Sequence, residues 1–312
     1  MAKIAPTATV HPKATIADDV EIGPGCYVGS PHVHLGPGCR LLSNVTILGD
    51  TRIGAGNVFY PSTVIGAPPQ DLKYQGSNTC LVIGSDNVFR ECVTAHTGTE
   101  VAGGVTKIGS HNQFQVGTHI AHDVEVGSHC VLSNQVQLAG HVHVEDHVVI
   151  SGLVGVQQFV TIGRYCFVAG AARCTSDAPP YTIVGFEGEI QGVNVKGLAR
   201  WGFPETTIQQ IRDLCRLLFP RKHSSTQYYR LRNLYGLLPW RHEERNGSAT
   251  LGRRIREAES NGPLDEHCQY LIDFLKRSIQ EGVYGRYLES LRRDSSAVRP
   301  KFYTDSSGGN GQ

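Results

Sequence analysis

The chain has 312 residues, 29 Lys+Arg against 28 Asp+Glu, 36 Gly and only 8% aromatic residues. That length buries enough apolar surface to fold without staples, and the composition suits a fold of many tight turns and small side chains better than a helical bundle. Nine cysteines at 26, 39, 80, 92, 130, 166, 174, 215 and 268 include no C-x-x-C pair, which reads as reduced, mostly buried thiols and argues against a disulfide framework or zinc ribbon. The N-terminus has no basic region followed by an apolar stretch, and no segment offers about 18 uninterrupted apolar residues. A soluble, unexported, cytoplasmic chain that is not an integral membrane protein is expected. Charge is uneven: residues 1–196 carry 10 Lys+Arg against 15 Asp+Glu, net −5, and residues 197–312 carry 19 against 13, net +6. The basic half would attract an acidic partner.

Aliphatic residues recur every six positions. Ile4, Val10, Ile16, Ile22 and Val28 form a first run, and a one-residue insertion near Pro31 resets the frame for Leu35, Leu41, Ile47, Ile53, Phe59 and Ile65. A third run is unbroken: Ile108, Phe114, Ile120, Val126, Leu132, Leu138, Val144, Ile150, Val156, Ile162 and Val168. A period of six is neither helical nor a simple strand alternation, so it marks a structural repeat of one strand and one turn. Gly commonly follows the anchor, as at Gly54 and Gly109, where a turn would need freedom from Cβ clashes. Three hexads close one triangular coil, so residues 18 apart stack at about the 4.8 Å of neighbouring strands. The expected fold over residues 1–185 is a parallel β-helix held by coil-on-coil stacking.

Two excursions, 67–82 and 98–107, break the repeat, and loops that interrupt a rigid solenoid usually serve binding. After Pro179-Pro180 helical patterns take over. The face Ile208, Ile211, Leu214, Cys215 and Leu218 predicts a helix from Pro204 to Phe219, with the proline placed to start it. Further patterns cover Thr226–Leu238, Ala249–Ser260 and Leu264–Gln280, giving an α-helical C-terminal domain over 186–286. An extension, 287–312, follows, polar and Gly/Ser-rich from Ser295 and expected to be partly disordered.

Eleven of fourteen histidines lie in the repeat half. His119, His122 and Asp123 precede Leu138, Gly140 and His141; because Ile120 and Leu138 are one coil apart, His122 should stack under Gly140. An imidazole is the natural base for a hydroxyl proton, and Asp123 is placed to orient it. A free N–H at Gly140 suits an oxyanion. The bland alternative is a set of polar surface residues and a turn-holding Asp, and it is preferred for His129, His143 and His147. A histidine zinc site is the sharper rival, disfavoured because no clear second cluster is evident. No metal and no cofactor are expected.

Seven segments carry a resemblance: Gln70–Tyr74, Arg90–Thr99, His119–Asp123, Leu138–His141, Gln158-Phe159, Pro179–Tyr181 and Gly192–Asn194. They occur in the order found in the UDP-N-acetylglucosamine O-acyltransferase family of lipid A synthesis, and the likeness covers about residues 1–286. It implies a left-handed parallel β-helix, contrary to the usual crossover hand, and a homotrimer with active sites at subunit interfaces. It also implies transfer of a (R)-3-hydroxyacyl group from acyl carrier protein to the 3-hydroxyl of UDP-N-acetylglucosamine. On this resemblance His122 is the general base, Asp123 its orienting partner and Gly140 the oxyanion donor. Asp71, Lys73, His96, His119, His141 and Gln158 contact sugar or substrate, and Asn194 and Arg200 lie near the nucleotide and the carrier arm.

Three departures fall in that nucleotide and phosphopantetheine region. Gln157 stands where better-known members have His, Lys196 where they have Glu, and Trp201 where they have Arg. An N-acyltransferase acting on a 3-amino sugar nucleotide is therefore a second reading, since a nearby cation helps keep an amine neutral; known N-acylating relatives, however, carry an extra N-terminal domain ahead of the hexads. A zinc-binding hydratase is a third. Gly170 matches the position that bounds the hydrocarbon groove and implies a long donor chain, unless it merely serves a turn. Arg212, Arg216, Arg221 and Lys222 offer a basic face for docking the acidic carrier, or simply a solvated one. Nucleic acid is a poor partner, for the basic residues lack interleaved aromatics.

Overall fold

Twenty-eight strands of two to four residues carry the first two thirds of the chain in a computed structural model that describes residues 1–220, 244–281 and 285–291. The pattern at Thr226–Leu238, the basic residues Arg221 and Lys222, and the stretch Ser295–Gln312 lie outside the described residues.

The strands form three sheets of 11, 9 and 8, in which each strand pairs with the strand three further along the chain until the last coil, where Phe167–Val168 pairs with Thr182–Val184, two strands on. Pairing is parallel throughout, except for the last strand, Ile190–Val193, which runs antiparallel to Thr182–Val184. The second residue of each short strand points inward. All eleven anchors from Ile108 to Val168 are at most 3% exposed, while Ile4, on the open first coil, is 46% exposed. Phe59, Phe89 and Phe114 stack down the axis with centroids 4.8 and 4.9 Å apart.

The register follows the spacing. Ile120 pairs with Leu138, and Leu138 with Val156. Ile22 pairs with Leu41, nineteen residues on rather than eighteen, which is the single insertion expected near Pro31. Phe59 pairs with Phe89, thirty residues on, and Phe89 with Phe114, twenty-five on; relative to eighteen, the excursions insert twelve and seven residues. They are shorter than the sequence suggests, because Cys80–Ile83 and Val105–Ile108 are already paired strands at their exits.

The glycine that follows several anchors is required by a Cβ clash, as expected, but the clash is with the next coil and not within its own turn. Gly109 has an ordinary φ, but a Cβ there would lie 2.5 Å from the Gly127 carbonyl oxygen, so what requires glycine is the approach of the next coil. The left-handed backbone falls two residues later, on side chains such as His111, His129 and His147 at φ 60–61°. A polar ladder secures this corner: the backbone N–H groups of Asn87, Asn112 and Cys130 donate to the buried amide oxygens of Asn57, Asn87 and Asn112 in turn.

The last coil grades into helices Val195–Arg200, Glu205–Leu218, Glu244–Ser260 and Glu266–Lys276. Pro204 precedes Glu205–Leu218 as its cap, and the face expected inward, Ile208 to Leu218, is buried. Asp265 accepts from the Cys268 N–H at 2.6 Å and starts the helix two residues after Leu264. These helices pack around Tyr181, whose hydroxyl accepts from Arg164 Nε at 2.7 Å, so the helical core closes the end of the β-helix. Helix Val195–Arg200 and the single turn Tyr287–Ser290 are not foreseen from sequence.

Candidate active site

Three corners run along the prism. One carries Asp123, His141 and Phe159 in successive coils, all with positive φ. The His141 N–H donates to the His122 carbonyl, and the Phe159 N–H to that of Gly140. His141 stacks on Phe159 with centroids 4.5 Å apart. Here His122 and Asp123 are 5% and 8% exposed.

A carboxylate this deep needs donors on every side. The Thr99 N–H donates to Asp123 Oδ1 at 2.7 Å, and the Thr99 hydroxyl to Oδ2 at 2.6 Å. His122 Nδ1 lies 2.8 Å from the same Oδ2. The Asp123 N–H donates in turn to the Thr106 hydroxyl at 2.8 Å. Against an ionised carboxylate the proton sits on Nδ1, which leaves the Nε2 lone pair for a substrate. Among the described residues Nε2 makes no hydrogen bond.

The coil register delivers the expected neighbour. A Cβ built on Gly140 would meet His122 Cε1 at 2.4 Å and Nε2 at 2.6 Å, so the imidazole lies directly over the Gly140 α-carbon. No acceptor among the described residues takes the Gly140 N–H. An acid–base group and an unspent backbone donor thus face one space, the arrangement acyl transfer needs.

His96 and His119 belong to the same sheet, one coil apart, with rings edge-on at 4.9 Å. The Thr94 hydroxyl holds His119 Nδ1 at 2.7 Å. Burial, reinforced by His119 and His122, pushes the His96 imidazole down to about 4, and its buried Nδ1 has no partner among the described residues. His119 is lowered by the same causes, desolvation first and then His122. Asp71, from the first excursion, lines a cleft of about 470 Å³ with Asp123, His141 and Phe159; its Oδ1 accepts from the Lys73 N–H.

Other expected site residues lie elsewhere. Gln157 and Gln158 are exposed beside Phe159. Gly170 is exposed on a different corner, after strand Phe167–Val168, with an ordinary φ and nothing nearer to an added Cβ than 3.7 Å, so neither turn nor packing demands glycine there. Asn194 is spent structurally: its Oδ1 caps helix Val195–Arg200 at Gly197, and its Nδ2 donates to the Tyr165 carbonyl. Arg200 and Lys196 are exposed on that helix. Arg212 and Arg216 line a groove with Ile190 and Phe219, and Arg216 pairs with Asp213.

Two features escaped sequence reasoning. Thr99 and Thr106, which secure Asp123, come from the second excursion, where periodicity is silent. A second histidine cluster does exist: His111, His129 and His147 stack at 4.9 Å along a different corner, with the exposed Trp201 edge-on to His147 at 4.2 Å. Their eighteen-residue spacing was the available signal. For the metal reading weighed from sequence, His122, Asp123 and His141 offer ligand atoms within 4.8 Å of one another. The His122–Asp123 hydrogen bond already spends two of those three groups on each other.

Fold and corner together define a hexapeptide-repeat β-helix protein with a buried imidazole–carboxylate pair, and comparison with known proteins narrows this class. Residues 177–284 match the profile described as "Udp N-acetylglucosamine O-acyltransferase; Domain 2". An acyl-[acyl-carrier-protein]–UDP-N-acetylglucosamine O-acyltransferase of Rhizobium johnstonii is 41% identical over 226 residues, 70% of this chain and 83% of the relative. Among solved structures, LpxA from Acinetobacter baumannii matches with TM-score 0.75 and 38% identity, covering 88% of this chain and 96% of that one. LpxA, a UDP-N-acetylglucosamine acyltransferase from Bacteroides fragilis, matches with TM-score 0.75 and 34% identity over 87% and 96%. The chain belongs to the UDP-N-acetylglucosamine O-acyltransferase family, and its β-helix is left-handed.

Two outcomes test the site. Gly140→Ala keeps the Gly140 N–H but drives a methyl group into the imidazole, and a displacement of about 1 Å should lower turnover on the order of 10²-fold while circular dichroism stays native. His96 gives a pH signature. Between about 4 and 6.5 the unfolded chain binds a proton that the folded site refuses, so stability is complete above 6.5 and falls as pH drops towards 4. The loss should be on the order of 3 kcal/mol, and His96→Gln should flatten the acid limb of a melting-temperature profile.

Proposed function

We propose that this chain transfers a (R)-3-hydroxyacyl group from acyl carrier protein to the 3-hydroxyl of UDP-N-acetylglucosamine, an early step of lipid A synthesis. The observation that carries the reading is the His122–Asp123 pair, packed against the free amide of Gly140. It agrees with the names of the relatives.

The acceptor hydroxyl donates to His122 Nε2, and as that proton leaves, its oxygen attacks the thioester carbonyl carbon. Negative charge collects on the carbonyl oxygen, where the Gly140 N–H meets it. Collapse breaks the C–S bond, and the imidazolium returns the proton to the departing thiolate. Asp123, locked by Thr99, stabilises the transient imidazolium and keeps the ring upright. No acyl-enzyme forms, because the hydroxyl attacks directly.

Asp71, Lys73, His96, His119, His141, Gln157 and Gln158 hold the sugar nucleotide in this reading. His96 stays neutral and packs edge-on against His119, its Nδ1 buried. Asn194 positions the helix that bears Arg200, which meets the nucleotide or the carrier arm. Arg212 and Arg216, with Arg221 and Lys222, attract the acidic carrier protein. Homotrimers with sites between subunits complete the assembly, and the enzyme works in the cytoplasm; among the described residues no helix is long and apolar enough to cross a membrane.

The test is a mass-spectrometric assay with a panel of acyl carrier protein thioesters and UDP-sugars. Wild type should acylate UDP-N-acetylglucosamine in preference to its 3-amino analogue, and His122→Ala should lose about 10²–10⁴-fold in kcat. Preference for the amino analogue, or full activity in His122→Ala, would refute the reading. In the same assay Gly170→Met should shift donor preference to shorter chains; an unchanged profile would remove Gly170 as a chain-length determinant.

A further inference from the structure

Two imidazoles at the catalytic corner turn the same atom towards one oxygen. His122 Nδ1 lies 2.8 Å and His141 Nδ1 3.8 Å from Asp123 Oδ2, and the two rings stand nearly perpendicular with centroids 5.1 Å apart. All three ligand atoms fall within 4.8 Å of one another. Nitrogen and carboxylate donors around a tetrahedral zinc ion, at bonds of about 2.0–2.2 Å, stand about 3.4 Å apart. The separations of 2.8 and 3.8 Å lie on either side of that value, so shifts on the order of 1 Å seat the ion. Thr99 donates to both oxygens of Asp123 and holds the carboxylate from behind, as the outer partners of metal ligands do.

The same corner has an entry path. Asp123 and His141 line the cleft of about 470 Å³, together with Asp71 and with Glu125, which pairs with Lys107. Three carboxylates and no Lys or Arg among the described lining residues concentrate cations there. The ion arrives on the Nδ1 side of His122, away from the Nε2 that lies over Gly140, and a water from the cleft completes its shell.

A proton on Nδ1 occupies this place at rest. Neutral imidazole carries one ring proton, and zinc needs the Nδ1 lone pair, so that proton leaves to solvent while Nε2 takes one up. No net proton is released. The ring then presents an N–H at Nε2 where the acceptor hydroxyl needs a lone pair, and the base is lost although nothing blocks the space above Gly140.

We propose that His122, Asp123 and His141 form an inhibitory zinc site, at which the ion competes with the Nδ1 proton and switches the base off. This is the place of an inhibitor and not of a resident cofactor. The loss of turnover rests on the acyltransferase reading above, whereas the binding of zinc does not.

Zinc titrated into the metal-free full chain should bind at one equivalent, with an X-ray absorption shell of nitrogen and oxygen at about 2.0–2.2 Å and no sulfur at about 2.3 Å. Bound zinc should stop acylation and a chelator should restore it, while excess magnesium, which prefers six oxygen ligands, should do neither. His141→Gln should weaken zinc binding by about 10–100-fold or more, since loss of even an outer partner costs that much, and should raise the half-inhibitory concentration in parallel. A melting temperature shows whether the variant is folded, and if it is not, the wild-type absorption spectrum decides the ligand set. The inference alone is overturned by an active wild type that binds no zinc, by a sulfur shell, by unchanged affinity in folded His141→Gln, or by full acylation with zinc bound. A wild type that acylates no acceptor overturns the acyltransferase reading and the inhibitory role with it.

Discussion

Every functional relation in this protein depends on the parallel hydrogen-bond ladder between successive coils. A backbone N–H of one coil donates to a carbonyl of the next, as from Ala121 to Leu138, and that bond sets which residues eighteen apart become neighbours. Slippage by one residue would turn every anchor outward, a penalty repeated at each buried side chain. The ladder is therefore rigid enough to hold His122 over Gly140 although nothing covalent links their coils. It also tolerates insertion: twelve and seven extra residues leave the prism at two points, and pairing resumes in register beyond each. Those departures bring Asp71 and Thr99 to the catalytic corner.

The corner concentrates ionisable groups in a fold whose interior is aliphatic apart from a phenylalanine stack and neutral asparagine and threonine side chains. Asp123 is accommodated because Thr99 gives it two donors and His122 a third. The arrangement spends the carboxylate completely and leaves one nitrogen unspent, which directs reactivity to Nε2. Burial nearby works in the opposite sense on His96 and His119, holding both neutral by desolvation. Histidines of the same repeat thus divide by corner. Those stacked at 111, 129 and 147 lie beside Trp201, and those at 96, 119, 122 and 141 gather around Asp123, His141 lining the cleft with it.

The helical region is more than an appendage to this prism. Tyr181 belongs to the last coil yet sits in the helical core, tied to Arg164 below it and to His267 Nδ1 at 3.2 Å above it. Asn194 clamps the first helix to Tyr165. After the helices the chain returns to Asp177 on the catalytic corner, so the C-terminal segment shares a cleft with residues that lie far earlier in the chain.

The amino-acid sequence alone determined the coil, its register and its inward anchors, because a six-residue period of aliphatic side chains is satisfied by one geometry and needs no distant information. The pairing of Ile120 with Leu138, and with it the place of His122 against Gly140, followed from counting. The same count would have placed the 111, 129 and 147 imidazoles in one column; only the surface reading given to each separately hid it. What the tertiary structure decided lies where periodicity stops. Thr99 holds the Asp123 carboxylate from an excursion whose path no repeat specifies, and Thr106 takes its N–H from the strand at the excursion's exit. Asn194 proves to be a helix clamp, because its partner Tyr165 is close only after the last coil has met the helices. Leu288 and Leu291 reach the cleft through hydrogen bonds to Asp177 more than a hundred residues earlier in the chain, and contacts of that range leave no periodic trace, since they exist only once both segments are folded.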